Sequence, residues 1–419
     1  MKKKVLIIDV LSTLRVEKGF ICPLPVAAQV SGILEQMDIP FEVVFAIAQD
    51  DGSVDTLIDN KIVSGIFEKT IKEISPDIVL FFTDAELIKL VFDVNIKARP
   101  ALPNALFCIG SLAASALPDL YKGYGFDYIL EQDIFTSLTE LLTKINLGAP
   151  PEKGIFAIPD TRNTLDYLPF ISRRYFKNMK PQWTFANGDI LYYGIILGSL
   201  GCTGACPHCP NSNFWGTVWR PMGAERIAAE IEQQKELFNT STFYLGDINF
   251  CPNSENGEKE ITVHPKAIER IEKLDSLLKE KNSDAKFITT IRPDTLSHLA
   301  EHSPDILQKL LKRFKLVFLG FESFNHRVIS GLNKHITKNM MKNAISVLER
   351  NNIPFVASFL VGSKYETWET LAETENFIME ELPPSTIPLL NIMTPFPGTK
   401  LYEEMKKNRE FMEDDINRY

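Results

Sequence analysis

Cys202, Cys206 and Cys209 stand in the run Gly-Cys-Thr-Gly-Ala-Cys-Pro-His-Cys-Pro over 201–210, after the apolar stretch Leu191 to Leu197. Three thiolates in a C-x₃-C-x₂-C spacing on one loop can each take an iron of a [4Fe–4S] cluster, which leaves the fourth iron open to an outside ligand. A zinc site is the alternative, but structural zinc wants four protein ligands, usually in two pairs. The further donors are His208, inside the loop, and Cys251, far along the chain. Other chemistry-bearing residues close apolar runs: Gly246 and Asp247, Arg292 and Asp294, then Glu322 and Ser323. A glycine there lets backbone approach a ligand closely, and an arginine can pair bidentately with a carboxylate. A glutamate at a buried strand end is costly unless it accepts hydrogen bonds.

These residues need strands to place them. Apolar runs at 190–197, 242–246, 286–291, 316–320, 355–361 and 387–393 alternate with helical patterns near 222–238, 264–281, 303–313, 336–351 and 367–381. Six strand–helix units predict a partial (β/α)6 TIM barrel, in which chemistry belongs on the loops that follow the strands. Residues 1–148 show a second alternation, with strands at 5–9, 41–45, 77–82, 105–109 and 127–130. Helix candidates fall between them near 25–37, 61–74, 84–92, 111–121 and 134–144. Buried strands alternating with helices imply a doubly wound, Rossmann-like parallel sheet that binds ligands at the carboxyl ends of its strands. Pro150, Pro151, Pro159, Pro169 and Pro181 punctuate residues 149–188, which read as a linker. The barrel is expected over 189–402 and an exposed tail helix over 403–419.

The 419 residues are 45% apolar and carry a net charge of −9, which argues against a general nucleic-acid-binding surface. Six cysteines, three of them in one loop, do not form a disulfide framework, so the chain reads as cytoplasmic. The start, Met1 to Val10, reads as a first strand because its apolar part is short and contains Asp9. The uncharged run Pro100 to Pro118 is broken by Pro103, Asn104 and Gly110, so no membrane segment is expected.

The cysteine spacing resembles the signature of the radical SAM enzymes. In that family an electron from the cluster breaks a carbon–sulfur bond of S-adenosylmethionine (SAM) to release a 5′-deoxyadenosyl radical. Gly320-Phe-Glu322-Ser323 resembles the family's Gly-x-Glu-Ser element, and Thr394-Pro-Phe-Pro-Gly398-Thr399 its closing Pro-x-Pro-Gly-Thr turn. Gly362-Ser-Lys-Tyr-Glu366-Thr367 resembles its Gly-x-Pro-x-Glu-Thr turn, with Lys364 in place of proline. The resemblance implies SAM contacts from Gly246, Asp247, Arg292, Glu322 and Ser323. His208 holds the position, often aromatic, that packs adenine.

A doubly wound domain before such a barrel resembles the cobalamin-binding radical SAM family, of the class B methyltransferase type. Cys108-Ile-Gly110-Ser111-Leu-Ala-Ala-Ser-Ala-Leu-Pro118 is similar to its Gly-Gly-x-x-Ala loop and helix, so Gly110 and Ser111 are implied cobalamin contacts. Many such domains ligate cobalt through the histidine of Asp-x-His-x-x-Gly, but residues 1–200 contain no histidine. The resemblance implies a [4Fe–4S] cluster, SAM and cobalamin, with methyl transfer to an unactivated carbon or similarly poor nucleophile. A small-molecule substrate and a reductant such as a flavodoxin or ferredoxin follow from it. The alternatives are a rearrangement or cyclisation with non-methylating cobalamin, and a noncatalytic Fe–S electron-transfer or partner-binding protein.

Overall fold

The computed structural model describes residues 2–12, 16, 20–49, 51–83, 88–159, 161–185, 188–253 and 262–410. The chain divides into two compact units: residues 1–162, 167–193 and 396–419 form one, and 163–166 with 194–395 the other.

In the first unit β1 (Val5–Ser12) begins with four residues, Val5 to Ile8, that are wholly buried, as a central strand covered on both faces requires. It is followed by β2 (Phe20–Ile21), β3 (Phe41–Ala48), β4 (Val54–Ile58), β5 (Lys61–Val63), β6 (Ile78–Phe82), β7 (Leu106–Ile109), β8 (Tyr128–Gln132) and β9 (Gly154–Ile158). The main sheet runs β5-β4-β3-β1-β6-β7-β8-β9. Its parallel part places the second and third parallel strands, β3 and β6, on either side of β1, with Val5 level with both Phe41 and Ile78. Strand order therefore reverses between β1 and β6, the switch point at which such sheets take ligands.

Two segments depart from the sequence reading. Residues 61–63, expected as the start of a helix, pair antiparallel with β4 across Asp59 and Asn60, whose φ values of 49° and 61° make a two-residue hairpin turn. The helix starts only at Phe67. The proline-rich stretch expected as a linker is largely built into this unit. β9 pairs parallel with β8, and Tyr175 donates to the buried Asp9 at 2.5 Å. The Phe170 carbonyl lies so close to Gly32 that a Cβ there would meet it at 2.1 Å. β10 (Gln182–Thr184) and β11 (Ile190–Tyr192) join β2 in a small antiparallel sheet. The helix candidate at 84–92 is seen as Ile88–Ala101, with 84–87 outside the described residues. The expected tail helix is Lys400–Asn408, and 411–419 lie outside the described residues.

In the second unit the expected first barrel strand is shortened to β12 (Gly194–Ile196), since residues 190–192 belong to β11. β13 (Ser199–Leu200) and β14 (Arg220–Pro221) form a short ribbon. β15 (Thr242–Leu245), β16 (Lys286–Thr290), β17 (Phe314–Glu322), β18 (Phe355–Val361) and β19 (Ile387–Ile392) follow β12 in one parallel sheet, in chain order. Sequential parallel order with helices between the strands is the partial (β/α)6 arrangement; the sheet is open, with β12 and β19 as its edges. The Gln234 amide closes the free edge of β12: Ile195 N–H donates to it at 2.7 Å and it donates to Ile195 O at 2.6 Å. An exposed edge strand is thereby capped by a side chain. A helix not expected from the sequence, Pro293–His302, starts directly after β16 with proline at its first position.

Candidate functional site

The cysteine loop leaves β12 through the short ribbon and is held by its backbone. Gly201 has φ +77°, and a Cβ there would stand 2.0 Å from the Val218 carbonyl oxygen, so glycine is required. Cys202 N–H donates to Gly216 O at 3.1 Å, and Cys209 N–H to Cys206 O at 3.2 Å. Cys209 caps the short helix Pro210–Phe214, and the Asn213 amide donates back to its carbonyl at 2.7 Å. Thr203 Oγ1 donates to the Asn253 carbonyl at 3.1 Å, tying the loop to the segment beyond β15.

All six cysteines are free, and the three of the loop are half-buried. A Cβ placed on Gly204 would lie 3.4 Å from Cys202 Sγ and 3.9 Å from Cys206 Sγ, so both sulfurs face the space this glycine leaves open. Among the described residues no three His, Cys, Asp or Glu side chains converge as they do on one metal ion. Three thiolates on one loop are the donor set that a [4Fe–4S] cluster takes, each holding a different iron.

Burial raises all three thiols above their ordinary range. The Gly204 N–H and the Arg292 cation pull Cys202 part of the way back. Lys334 and Arg292 do the same for Cys206, and the N–H groups of Ser212 and Asn211 for Cys209. Metal uptake must therefore displace protons. Burial also lowers the pKa of His208, and its Nδ1 is buried without a partner among the described residues, which leaves a neutral ring able to stack or to hydrogen-bond.

Arg292 and Glu322 stand with the cysteines. Arg292 precedes helix Pro293–His302 and grips Asp294 through Nε at 2.9 Å and Nη2 at 2.9 Å; Nη2 also donates to Lys334 O at 2.5 Å. Burial disfavours its charge, but the Asp294 carboxylate outweighs that and holds the guanidinium pKa above its usual value. Glu322 ends β17 in a left-handed conformation, φ +64°, where the register shifts, and forms a buried ion pair with Lys334. A Cβ on Gly320 would stand 2.5 Å from Lys334 Nζ and 2.6 Å from Glu322 Oε1, so the pair occupies space that only glycine leaves.

The remaining expected residues serve differently. Gly246 N–H donates to Ile196 O at 2.8 Å, continuing the pairing of β12 and β15. Asp247 is fully buried and paired with Arg270 at 3.0 Å. Its second oxygen, Oδ2, is pressed against Gly198 and has no partner among the described residues. Ser323 is buried, sharing a hydrogen bond with Thr374 at 3.1 Å and accepting one from Asn325 N–H at 3.1 Å. In the first unit Gly110 follows β7, where a Cβ would crowd Ile134 at 3.3 Å, and Ser111 caps helix Leu112–Ala116.

Sequence reasoning missed Lys334 and Asn253. A lysine in a loop reads as solvated, but this one lies between Asn333 and His335, at φ values of 54° each, and turns inward to 7% exposure. Asn253 Nδ2 donates to Asp294 at 2.8 Å while its carbonyl holds Thr203.

Residues 196–378 match the Radical SAM superfamily. The chain is 22% identical over 373 residues to an uncharacterised methyltransferase of Pyrococcus horikoshii, covering 82% of this chain and 74% of that one. Among solved structures it resembles the cobalamin-dependent SAM radical enzyme OxsB, solved with aqua-cobalamin and SAM bound, at a TM-score of 0.62 and 15% identity. That likeness covers 98% of this chain and 56% of the OxsB chain, which is the longer protein. It also resembles the radical SAM methyltransferase TsrM of Kitasatospora setae, at a TM-score of 0.66 and 15% identity, over 97% of this chain and 76% of that one. At these identities the structural likenesses speak for the fold. With the cysteine loop at the head of the six-stranded parallel sheet, the second unit of this chain is a radical SAM domain.

Proposed function

We propose that the chain is a cobalamin-dependent radical SAM methyltransferase that acts on an unactivated carbon, or another poor nucleophile, of a small molecule. The observation that carries it is the cluster-forming loop, heading a six-stranded parallel sheet in a chain whose other unit is doubly wound. The fold likeness to the cobalamin-dependent SAM radical enzyme OxsB and to the radical SAM methyltransferase TsrM covers 98% and 97% of the chain. When bound, the cluster supplies one electron to SAM, and cobalamin carries the methyl group.

The chain's own residues hold and orient these groups. Cys202, Cys206 and Cys209 anchor the cluster and leave one iron for SAM. His208 offers a neutral ring beside it, and Gly246 and Glu322 offer backbone and carboxylate at the neighbouring strand ends. In the first unit the switch point between β1 and β6 suits a ligand at the carboxyl ends of the strands, and Gly110 and Ser111 follow the neighbouring strand β7. All six histidines lie between 208 and 335, outside this unit, so it would offer a bound cobalt no histidine ligand. A flavodoxin or ferredoxin supplies the electron. Free cysteines throughout suit a reducing compartment, the cytoplasm, and no helix among the described residues is long and apolar enough to cross a membrane.

The test is anaerobic reconstitution with iron, sulfide and hydroxocobalamin. One [4Fe–4S] cluster should form and be lost on changing any of the three cysteines to Ala. Cobalamin should bind stoichiometrically, with a Co(II) signal free of nitrogen coupling from a protein imidazole. With methyl-labelled SAM and reductant, label should be recovered in the corrinoid fraction without substrate. Binding without label transfer favours rearrangement or cyclisation; no cobalamin binding refutes methyl transfer by this route.

A further inference from the structure

Arg292 makes more contacts than an anchor for Asp294 requires, and one of its nitrogens is unused. Nε and Nη2 are taken by Asp294 and by the Lys334 carbonyl, whereas Nη1 makes no hydrogen bond among the described residues. That nitrogen faces the cysteine loop. A Cβ on Gly204 would stand 3.2 Å from Arg292 Nη1, nearer than to Cys202 Sγ at 3.4 Å or Cys206 Sγ at 3.9 Å. One nitrogen and two sulfurs thus border the same gap, which exists because residue 204 has no side chain.

The guanidinium is fixed there. Its side chain is 14% exposed, and Asp294, 1% exposed, is itself held by Asn253 Nδ2 at 2.8 Å. Asn253 also carries Thr203 of the cysteine loop through its carbonyl. The loop, the cation and its counter-ion are therefore joined in one hydrogen-bonded unit. Asp294 grips the Nε and Nη2 edge, so the sulfurs face the end of the guanidinium that is turned away from the carboxylate.

We propose that Arg292 sets the reduction potential of the cluster held by Cys202, Cys206 and Cys209, by stabilising its reduced state through the cysteine sulfurs. This rests on the cluster reading above. Reduction adds one electron, delivered by a low-potential one-electron donor such as a reduced flavodoxin or ferredoxin, and no bond or proton changes place. The cluster with three thiolates becomes more negative by one charge, and a fixed cation beside two of the sulfurs favours that state. Net charge and hydrogen bonds at the sulfurs are known determinants of such potentials. Arg292 is thus a positioning residue that acts through the ligands, a different role from the grip on the SAM carboxylate that the sequence suggested.

The experiment compares wild type, Arg292→Gln, Arg292→Lys and Asp294→Asn as anaerobically reconstituted holoproteins without SAM, titrated with titanium(III) citrate and followed by electron paramagnetic resonance. Arg292→Gln should make reduction about tenfold less favourable, a fall of 59 mV for a one-electron couple, and Arg292→Lys should recover most of it. Asp294→Asn removes the counter-charge and should move the midpoint the opposite way, upward. This second arm stands even if Arg292→Gln fails to hold its cluster. Equal midpoints in variants with full iron content overturn the proposal and leave the cluster reading intact. So does a fall in SAM affinity with no change of potential, which returns Arg292 to the SAM carboxylate. A wild type that takes up no cluster removes both readings.

Discussion

Asp247→Ala should unfold the second unit more readily, whatever it does to SAM binding. The Asp247 carboxylate and the Arg270 guanidinium are 0% and 3% exposed, and their contact is 3.0 Å. Arg270 also donates to Gly198 O at 2.9 Å and Phe250 O at 2.8 Å, and stands over the Phe250 ring at 4.5 Å. One buried cation thereby fastens the ends of β12 and β15 to helix Pro265–Glu280. Removing only the carboxylate leaves that cation unpaired away from water, which costs about 3–5 kcal/mol. With m of about 2–3 kcal/mol/M in urea, the midpoint should fall by roughly 1–2.5 M. Trp219 is a built-in reporter, its ring 5.1 Å from the Arg270 guanidinium carbon. Fluorescence-monitored urea unfolding of the apoprotein checks the shift, with Asp247→Asn expected to be milder because it keeps the shape and one hydrogen bond. An unchanged midpoint accompanied by weak SAM binding would refute the argument and make Asp247 a ligand.

Glu322→Gln should weaken SAM binding, measured by equilibrium dialysis against the holoprotein, by about 1.5–3 kcal/mol, the worth of a hydrogen bond to a charged group; wild-type affinity removes Glu322 from the pocket. Glu373 yields a pH prediction. Its ion pair with Lys338 and the hydrogen bond from Asn325 Nδ2 hold its pKa below the ordinary glutamate range. A depressed carboxylate stabilises above its unfolded pKa, and that stability is lost as pH falls from there through the folded value. Acid unfolding of the wild type between neutral pH and pH 3 should therefore be steeper than that of Glu373→Gln, and superimposable curves count against the pair.

What could be read from the sequence follows from which forces are local. The cysteine triplet is legible because only thiolates in close spacing can anchor three irons from one loop, and no tertiary knowledge is needed to see it. The parallel strands are legible for a related reason: a strand covered on both faces must be continuously apolar, as Val5 to Ile8 and Ile78 to Phe82 are. The hairpin at β4 and β5 has a local signal, Asp59-Asn60 between two short apolar runs, but the helical periodicity of Phe67 to Ile74 runs close enough to mask it. Pro293 likewise marks the start of a helix whose periodicity is too short to stand out from the sequence.

The assignment of roles is another matter. Asp247 and Arg292 are the same kind of residue-at-a-strand-end in the sequence, and each was read as a ligand group. Their partners decide what they do, and those partners are fixed by tertiary contact: Arg270 lies on a helix beyond the next loop, and Gly204 beyond three intervening strands. Spacing can nominate a charged residue, but the charge acts where the fold aims it. For Asp247 both the counter-ion and the burial point inward, so its charge goes into holding strand ends. For Arg292 the counter-ion takes one edge and leaves the other toward two thiols. Each keeps one atom unused among the described residues, but Oδ2 of Asp247 is pressed against Gly198, whereas Nη1 of Arg292 borders the gap with the two sulfurs.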